Sequence, residues 1–419
     1  MGDTSIKQNE KNSAFTRLFS KMKFNATLRA VNPPPCPVLE LRGAARARGR
    51  AHGEAAREMI RALVAEHFAF LEFSAAYVLR AALSREQILR VSDAYLPACE
   101  RFAPDLVEEV RGIAEASGVP LREIFSLNTF IDIADMVRPE TAANYFASNA
   151  IRETSNVKQR HSEGGCTSFG AMSPATRDGN VYMGQTFDTK AVFEPYVCAL
   201  NIAACHSESL CKESQPRAMV ATFAGMVGCA GINEHGVGVV INHLHTRDAR
   251  PGVPFTFAVR KMLQAKTADD AIKILSRGEP ASGIHYLVGD ENNLRGVETS
   301  ATKFSLLEPR AGILSHANHC DANALQEIEI EPSVYSLCRG NRANEMLTSR
   351  VGQIDANTLI EIASDHVGDE DTICSHAEYD VPRLRQYKTD FAVILGTKQR
   401  AMKLFVGSPC EKKALSIEV

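Results

Sequence analysis

The sequence predicts an α+β fold on three observations. Residues 44–137 carry apolar positions at helical spacing almost without a break. From residue 167 onward, short apolar runs bounded by Asn, Asp and Gly read as strands with a few helices among them. Between these halves lies a polar stretch, 138–164, that ends at Gly164-Gly165-Cys166. Helices first, then strands interleaved with helices, is the order of a layered α+β domain and not of repeating βαβ units.

Each element follows from local chemistry. Residues 1–38 are mainly polar and read as a flexible tail; 14–30 hold four basic residues and no acidic one, a weak transit-peptide pattern. Residues 39–43 read as a short strand. Met59, Leu63, Phe68 and Leu71 then recur at helical spacing. Ser84 with Gln87 three residues on is a capping box for a helix to about Arg101. Pro104 opens the next helix and Gly118 ends it; 121–137 form another amphipathic helix. Strands are expected at 167–172, 181–187, 196–204 and 217–224. Two more are joined by the turn Asn233–Gly236. Helices follow near 254–266, 268–277, 340–350 and 357–364, and strands at 284–290, 295–300, 303–307, 312–317, 390–396 and 401–407. The expected division is a tail (1–38), a helical segment (39–165) and a catalytic domain (166–419).

Composition narrows the function. A net charge of −3 with no basic face argues against nucleic acid as a partner. No apolar run approaches the roughly 18–20 residues that span a bilayer, so no membrane partner is expected. Eleven scattered cysteines without a CxxC pair, and no signal peptide, predict free thiols and a cytoplasmic location.

The residue that points to chemistry is Cys166. Two glycines precede it, and Thr167 and Ser168 follow. A cut at Gly165–Cys166 would turn a mid-chain thiol into an N-terminal residue that carries its own base. A free α-amine has a pKa of about 7.7–8.0 and accepts the thiol proton near neutral pH. The cut itself can proceed by an N→S acyl shift: the sulfur attacks the Gly165 carbonyl, and water hydrolyses the resulting thioester. Metal binding is not expected. His243 and His245 share one face of a strand and His316 lies near His319, but no third and fourth ligand stands at zinc-like spacing. No nucleotide-binding glycine loop is present.

From about residue 39 to 407 the chain resembles the acyl-CoA:isopenicillin-N acyltransferase family. The resemblance lies in Leu39-Glu40-Leu41-Arg42-Gly43 with Arg48-Gly49-Arg50-Ala51-His52-Gly53, in Gly165-Cys166-Thr167, and in Gly184-Gln185-Thr186-Phe187-Asp188. It continues in Ala230–Val239 and in Ser315–Cys320, all in the family's order. It implies an N-terminal-nucleophile hydrolase with an αββα sandwich and a helical N-terminal segment. Cys166 would cut the chain and then accept the acyl group. Asp188 would hold the new α-amine, Asn318 would donate to the oxyanion, and Ser168 would assist the cut. The α and β fragments would stay associated. The substrate would be a small amino-acid-derived amide, with acyl-CoA as a possible co-substrate and no bound cofactor.

One departure stands out. Where the family commonly carries Ile-Cys-Arg, this chain has Ile373-Cys374-Ser375-His376. Ser375, His376 and Thr167 are therefore candidate substrate-binding residues, with His376 or Arg383 left to supply the missing charge. Two rival readings stand beside the enzyme. One is an uncleaved, non-catalytic small-molecule binder of the same fold; the other is a metal-dependent hydrolase built on the histidine pairs.

Overall fold

Two β-sheets stack face to face, and each carries helices on its outer side. The computed structural model describes residues 36–79, 82–136, 165–205, 215–330, 332–368, 372–378 and 381–419. The expected tail up to residue 35 and the polar stretch 138–164 lie outside the described residues.

The eight-stranded sheet runs β1-β4-β5-β6-β7-β8-β9-β10. Its strands are β1 Val38–Leu41, β4 Val197–Ile202, β5 Ala218–Phe223, β6 Ala230–Asn233, β7 Gly238–Leu244, β8 Gly283–Gly289, β9 Leu294–Thr299 and β10 Phe304–Leu307. All pairings are antiparallel except the first, where β1 lies parallel to β4 with Leu39 opposite Leu200. The six-stranded sheet runs β11-β2-β3-β12-β13-β14. It comprises β2 Thr167–Ala171, β3 Tyr182–Lys190, β11 Ile313–His316, β12 Tyr387–Gly396, β13 Ala401–Val406 and β14 Leu415–Glu418.

Side-chain alternation separates the two faces of the six-stranded sheet. Phe169, Ala171 and Ile394 pack against Ala343 and Leu347 of one helix, Val334–Thr348, and Leu359 and Ile362 of another, Ala356–Ala363. Ser168 and Gln185 point the other way, to Asn242 and Ile241 on β7. The layers are thus helix, sheet, sheet, helix. This is the αββα arrangement, and the chain from Cys36 to Val419 forms one compact unit.

The N-terminal helices complete the layer outside the larger sheet. Helix Ala45–Ala55 crosses helix Pro104–Ser117 at very short range. A Cβ on Gly49 would stand 1.9 Å from the Glu109 carbonyl oxygen, and one on Gly112 would stand 2.2 Å from that of Arg46. Only glycine permits that approach. At the crossing, Arg48 donates to Glu109 at 3.1 Å and Arg260 donates to both Glu109 oxygens at 3.0 Å, all three side chains buried. Arg260 belongs to helix Phe255–Met262, so this ion triad ties the first hundred residues to the sheet domain.

The expected elements are present with small shifts. The Ser84 capping box closes in both directions, and Gly118 adopts φ +70 at the end of its helix. The helix expected at 340–350 starts earlier, at Val334, and runs through Gly340. A Cβ there would meet the His319 ring at 3.0 Å, so the glycine serves packing and does not mark a boundary. The strand at Leu415–Glu418 carried no sequence signal, being mostly exposed. The expectation of free thiols throughout is corrected at Cys205, which is disulfide-bonded. Cysteines 36, 99, 166, 198, 229, 320, 338, 374 and 410 are free. Among the described residues no helix is long and apolar enough to cross a membrane.

Candidate active site

Cys166 sits just before β2, which lies between the edge strand β11 and β3 in the six-stranded sheet. Strand β2 pairs with β3 so that Thr167 faces Thr186, and β3 pairs with β12 so that Asp188 faces Thr389. A bulge between Thr389 and Phe391 interrupts β12 at that point. The sequence therefore delivers Cys166 and Asp188 to one end of adjacent strands, as the antiparallel register requires.

Both groups are buried. The Cys166 thiol is pushed up to about 12, first by burial and then by the charge of Asp188. The Asp188 carboxyl is raised to about 7 by burial, with the Arg339 guanidinium pulling the other way. Neither Asp188 oxygen has a well-formed hydrogen bond, although the Thr186 and Thr389 hydroxyls lie close by. A buried carboxylate without donors is costly. Next to Cys166 it is a vacant acceptor suited to a cation.

Arg339 was not singled out from the sequence, and it organises the site. Its Nε donates to Thr167 Oγ1 at 3.3 Å and its Nη2 donates to Asn318 Oδ1 at 2.8 Å. Asn318 in turn donates from Nδ2 to the His243 carbonyl at 2.9 Å, and its backbone N–H donates to Ser336 Oγ. Gly165 lies against both. A Cβ on Gly165 would stand 2.1 Å from Asn318 Oδ1 and 2.5 Å from Arg339 Nη2. The residue before Cys166 is glycine because an amide and a guanidinium occupy the space a side chain would need.

This answers the absent arginine at Ser375. The positive charge comes from helix Val334–Thr348 instead. Arg383 does not provide it: both of its terminal nitrogens hold Glu66 at 2.8 Å. A sequence clue existed, since Leu337-Cys338-Arg339 is a near copy of the triplet sought around Ser375.

The structure divides the other candidates. Thr167 joins the Cys166 group, its N–H donating to Thr186 Oγ1 at 3.3 Å. Ser168 turns between the sheets and donates to Asn242 Oδ1 at 2.6 Å. Ser375 flanks the site through its backbone. Its N–H donates to Thr389 Oγ1 at 3.0 Å, and its carbonyl accepts from Thr389 N–H and Ser408 Oγ. His376 faces Cys374, Cys410 and His366 instead of Cys166. Of the histidine pairs, His243 and His245 share Asp135, and His316 bonds Glu298 at 2.7 Å. Gln185, within the β3 motif, clamps β7 by pairing with both the N–H and the carbonyl of Ile241.

Chemically, the group offers a buried thiol, a carboxylate raised by burial to about 7, and polar donors packed on the preceding residue. The sequence matches the family model described as acyl-coenzyme A:6-aminopenicillanic acid acyl-transferase over residues 176–409, more than half of the chain. Among solved structures, penicillin V acylase from Agrobacterium tumefaciens aligns at 13% identity, covering 61% of this chain and 86% of its own, with a TM-score of 0.41. A cysteine-to-alanine mutant of the conjugated bile acid hydrolase from Clostridium perfringens aligns at 9% identity, covering 61% and 97%, with a TM-score of 0.40. An arginine-to-leucine variant of the same hydrolase aligns at 10% identity, covering 61% and 97%, with a TM-score of 0.41.

Proposed function

Since this chain belongs to the acyl-coenzyme A:6-aminopenicillanic acid acyl-transferase family, we propose that it is a self-processing enzyme whose Cys166 makes or breaks an amide bond of a small amino-acid-derived metabolite. The acyltransferase or amidohydrolase character comes with the family. The cut, the nucleophile and the substrate are our reading.

In the first stage Asp188, titrating near 7, draws the proton from the Cys166 thiol. The sulfur attacks the Gly165 carbonyl, and negative charge gathers on its oxygen beside Asn318 and Arg339. Collapse breaks the C–N bond as Asp188 passes that proton to the leaving nitrogen, and it leaves a thioester with a free α-amine on Cys166. One water hydrolyses it, giving a Gly165 carboxylate and restoring the thiol. In the second stage the α-amine takes the thiol proton and the thiolate attacks a substrate carbonyl. The leaving amine departs with that proton. Water or an acceptor amine then releases the acyl group. An acyl-CoA thioester serves equally as donor, by exchange at the same sulfur.

The observation that carries this reading is the buried Asp188 carboxylate with neither oxygen partnered. An α-ammonium on Cys166 would supply the missing donors by charge-assisted hydrogen bonds. One observation favours the uncleaved binder: the thiol is only 4% exposed and is held protonated at neutral pH. Mass spectrometry separates the two. Purified protein is incubated with a panel of acyl-amides and acyl-CoA esters. Fragments ending at Gly165 and starting at Cys166, with an acyl adduct on Cys166, support the enzyme. An intact Met1–Val419 mass with no adduct supports the binder.

A further inference from the structure

Four metal-ligating side chains converge beside the active site from three separate stretches of chain: His366, Cys374, His376 and Cys410. Their ligand atoms all lie within 4.8 Å of one another. His366 Nε2 and His376 Nε2 are 3.0 Å apart, Cys374 Sγ and Cys410 Sγ 3.6 Å, Cys410 Sγ and His376 Nε2 3.3 Å, and Cys374 Sγ and His376 Nε2 3.9 Å. We propose that these residues form a Cys2His2 zinc site.

The distances fit that ion. Zinc binds thiolate at about 2.3 Å and imidazole at about 2.0–2.1 Å, and a tetrahedron with those bonds has edges of about 3.3–3.8 Å. The four measured separations, 3.0 to 3.9 Å, bracket this range. Two thiols and two imidazoles are also the donor set that zinc prefers over calcium or magnesium. Cys374 and Cys410 are free and well beyond disulfide distance, so both sulfurs are available as ligands. Support for the ligands is in place as well. The second nitrogen of His376, Nδ1, faces Glu411 Oε1 at 3.4 Å, a carboxylate behind a metal-bound imidazole.

The site is closed: four protein ligands leave no position for water or substrate. Its role is structural. It staples the loop after helix Ala356–Ala363 to the turn after β13. Ser375 lies between two of the ligands, and its backbone N–H and carbonyl hold Thr389, the register partner of Asp188. Zinc would thereby fix one wall of the Asp188 site without touching the reacting atoms. It also gives the Cys374-Ser375-His376 stretch a use of its own, in place of the arginine that Arg339 supplies. None of this depends on whether the chain cuts itself.

The test uses the full chain, untagged and kept reduced. Protein is loaded with Zn2+, dialysed, and measured by elemental mass spectrometry. We expect one zinc per chain in the wild type and in Cys338→Ser, which removes an exposed cysteine outside the cluster. Loss of that zinc is expected in both Cys410→Ser and His366→Ala, which alter exposed side chains. Co2+ in place of zinc should give the intense visible bands of a tetrahedral site and a near-ultraviolet thiolate band that weakens in Cys410→Ser. Wild type that retains no zinc, or that retains as much as the Cys410→Ser/His366→Ala double variant, would overturn the proposal. So would a Cys374–Cys410 disulfide in the zinc-loaded protein.

Discussion

Arg339 Nη2 donates to Asn318 Oδ1 at 2.8 Å, and the two side chains together close over Gly165. The contact fixes which way the Asn318 amide points. Its oxygen is committed to the guanidinium, so Nδ2 must face elsewhere. One hydrogen goes to the His243 carbonyl, which leaves the other for the oxyanion of the reaction we propose. A charge from one helix thus orients a donor on a separate loop.

Removing that charge should separate processing from folding. Arg339→Met keeps an unbranched apolar stem but deletes the guanidinium and both hydrogen bonds. Asn318→Ala deletes the donor itself. We expect each to slow acyl turnover by about 10²–10³-fold, the usual loss for one oxyanion donor. Arg339→Lys should recover part of the rate through its charge. Time courses of amide hydrolysis, read alongside circular dichroism, check this. A fully active Asn318→Ala would end its assignment as the oxyanion donor.

Gly165→Ala tests the cradle while leaving Cys166, Asp188, Asn318 and Arg339 chemically unchanged. The new methyl would lie 2.1 Å from Asn318 Oδ1 and 2.5 Å from Arg339 Nη2. Both are side-chain tips, so they can swing aside and the fold should persist. The scissile peptide then loses its polar neighbours. We expect self-cleavage to slow by more than about tenfold, with melting little changed, as followed by gel and calorimetry. Cleavage at the parent rate would mean that the pair has no part in it.

Asp188 sets a pH dependence in the uncut chain. Its folded pKa is raised from 3.8 to about 7 by burial. Between those values the folded chain keeps a proton that the unfolded chain has released. Stability therefore falls as pH rises from about 4 to about 7, and the loss is complete above 7. Asp390, buried nearby and raised further, acts in the same direction. In a Cys166→Ala background, Asp188→Asn should raise the melting temperature at pH 8 and change it little at pH 4. An equal gain at both would show that Asp188 does not titrate as described.

Glu109 should prove the most sensitive position outside the site. Glu109→Ala leaves Arg48 and Arg260 buried without their shared carboxylate. Breaking a buried pair from one side typically costs about 3–5 kcal/mol. Urea unfolding of the Cys166→Ala chain with and without the change measures it. A difference below about 1 kcal/mol would mean that water reaches the triad.

The sequence revealed what rests on local pattern. The Ser84 capping box, the Gly118 helix stop, the β6–β7 hairpin and the strands carrying Cys166 and Asp188 depend on residues close in the chain, and all were legible. Arg339 was not: its Leu337-Cys338-Arg339 triplet lies away from the place where an arginine was sought, and it acts across 172 and 21 positions of sequence. The histidine and cysteine cluster stayed hidden for the same reason. His366, Cys374 and His376 look unremarkable until the turn after β13 brings in Cys410, 34 positions beyond His376.

The parallel pairing of β1 with β4 has a consequence for timing. β1 is the edge strand that covers β4, and it belongs to the part of the chain that a cut at Gly165 would set loose. Severed early, it would have to find that edge as a separate molecule, at a rate set by concentration. Left attached, it docks as part of its own chain. The two side chains pressed against Gly165, Asn318 and Arg339, come from stretches far from it in sequence. If the chain cuts itself as we propose, a cut made only after folding would leave each N-terminal segment already docked on its own sheet, matched one to one.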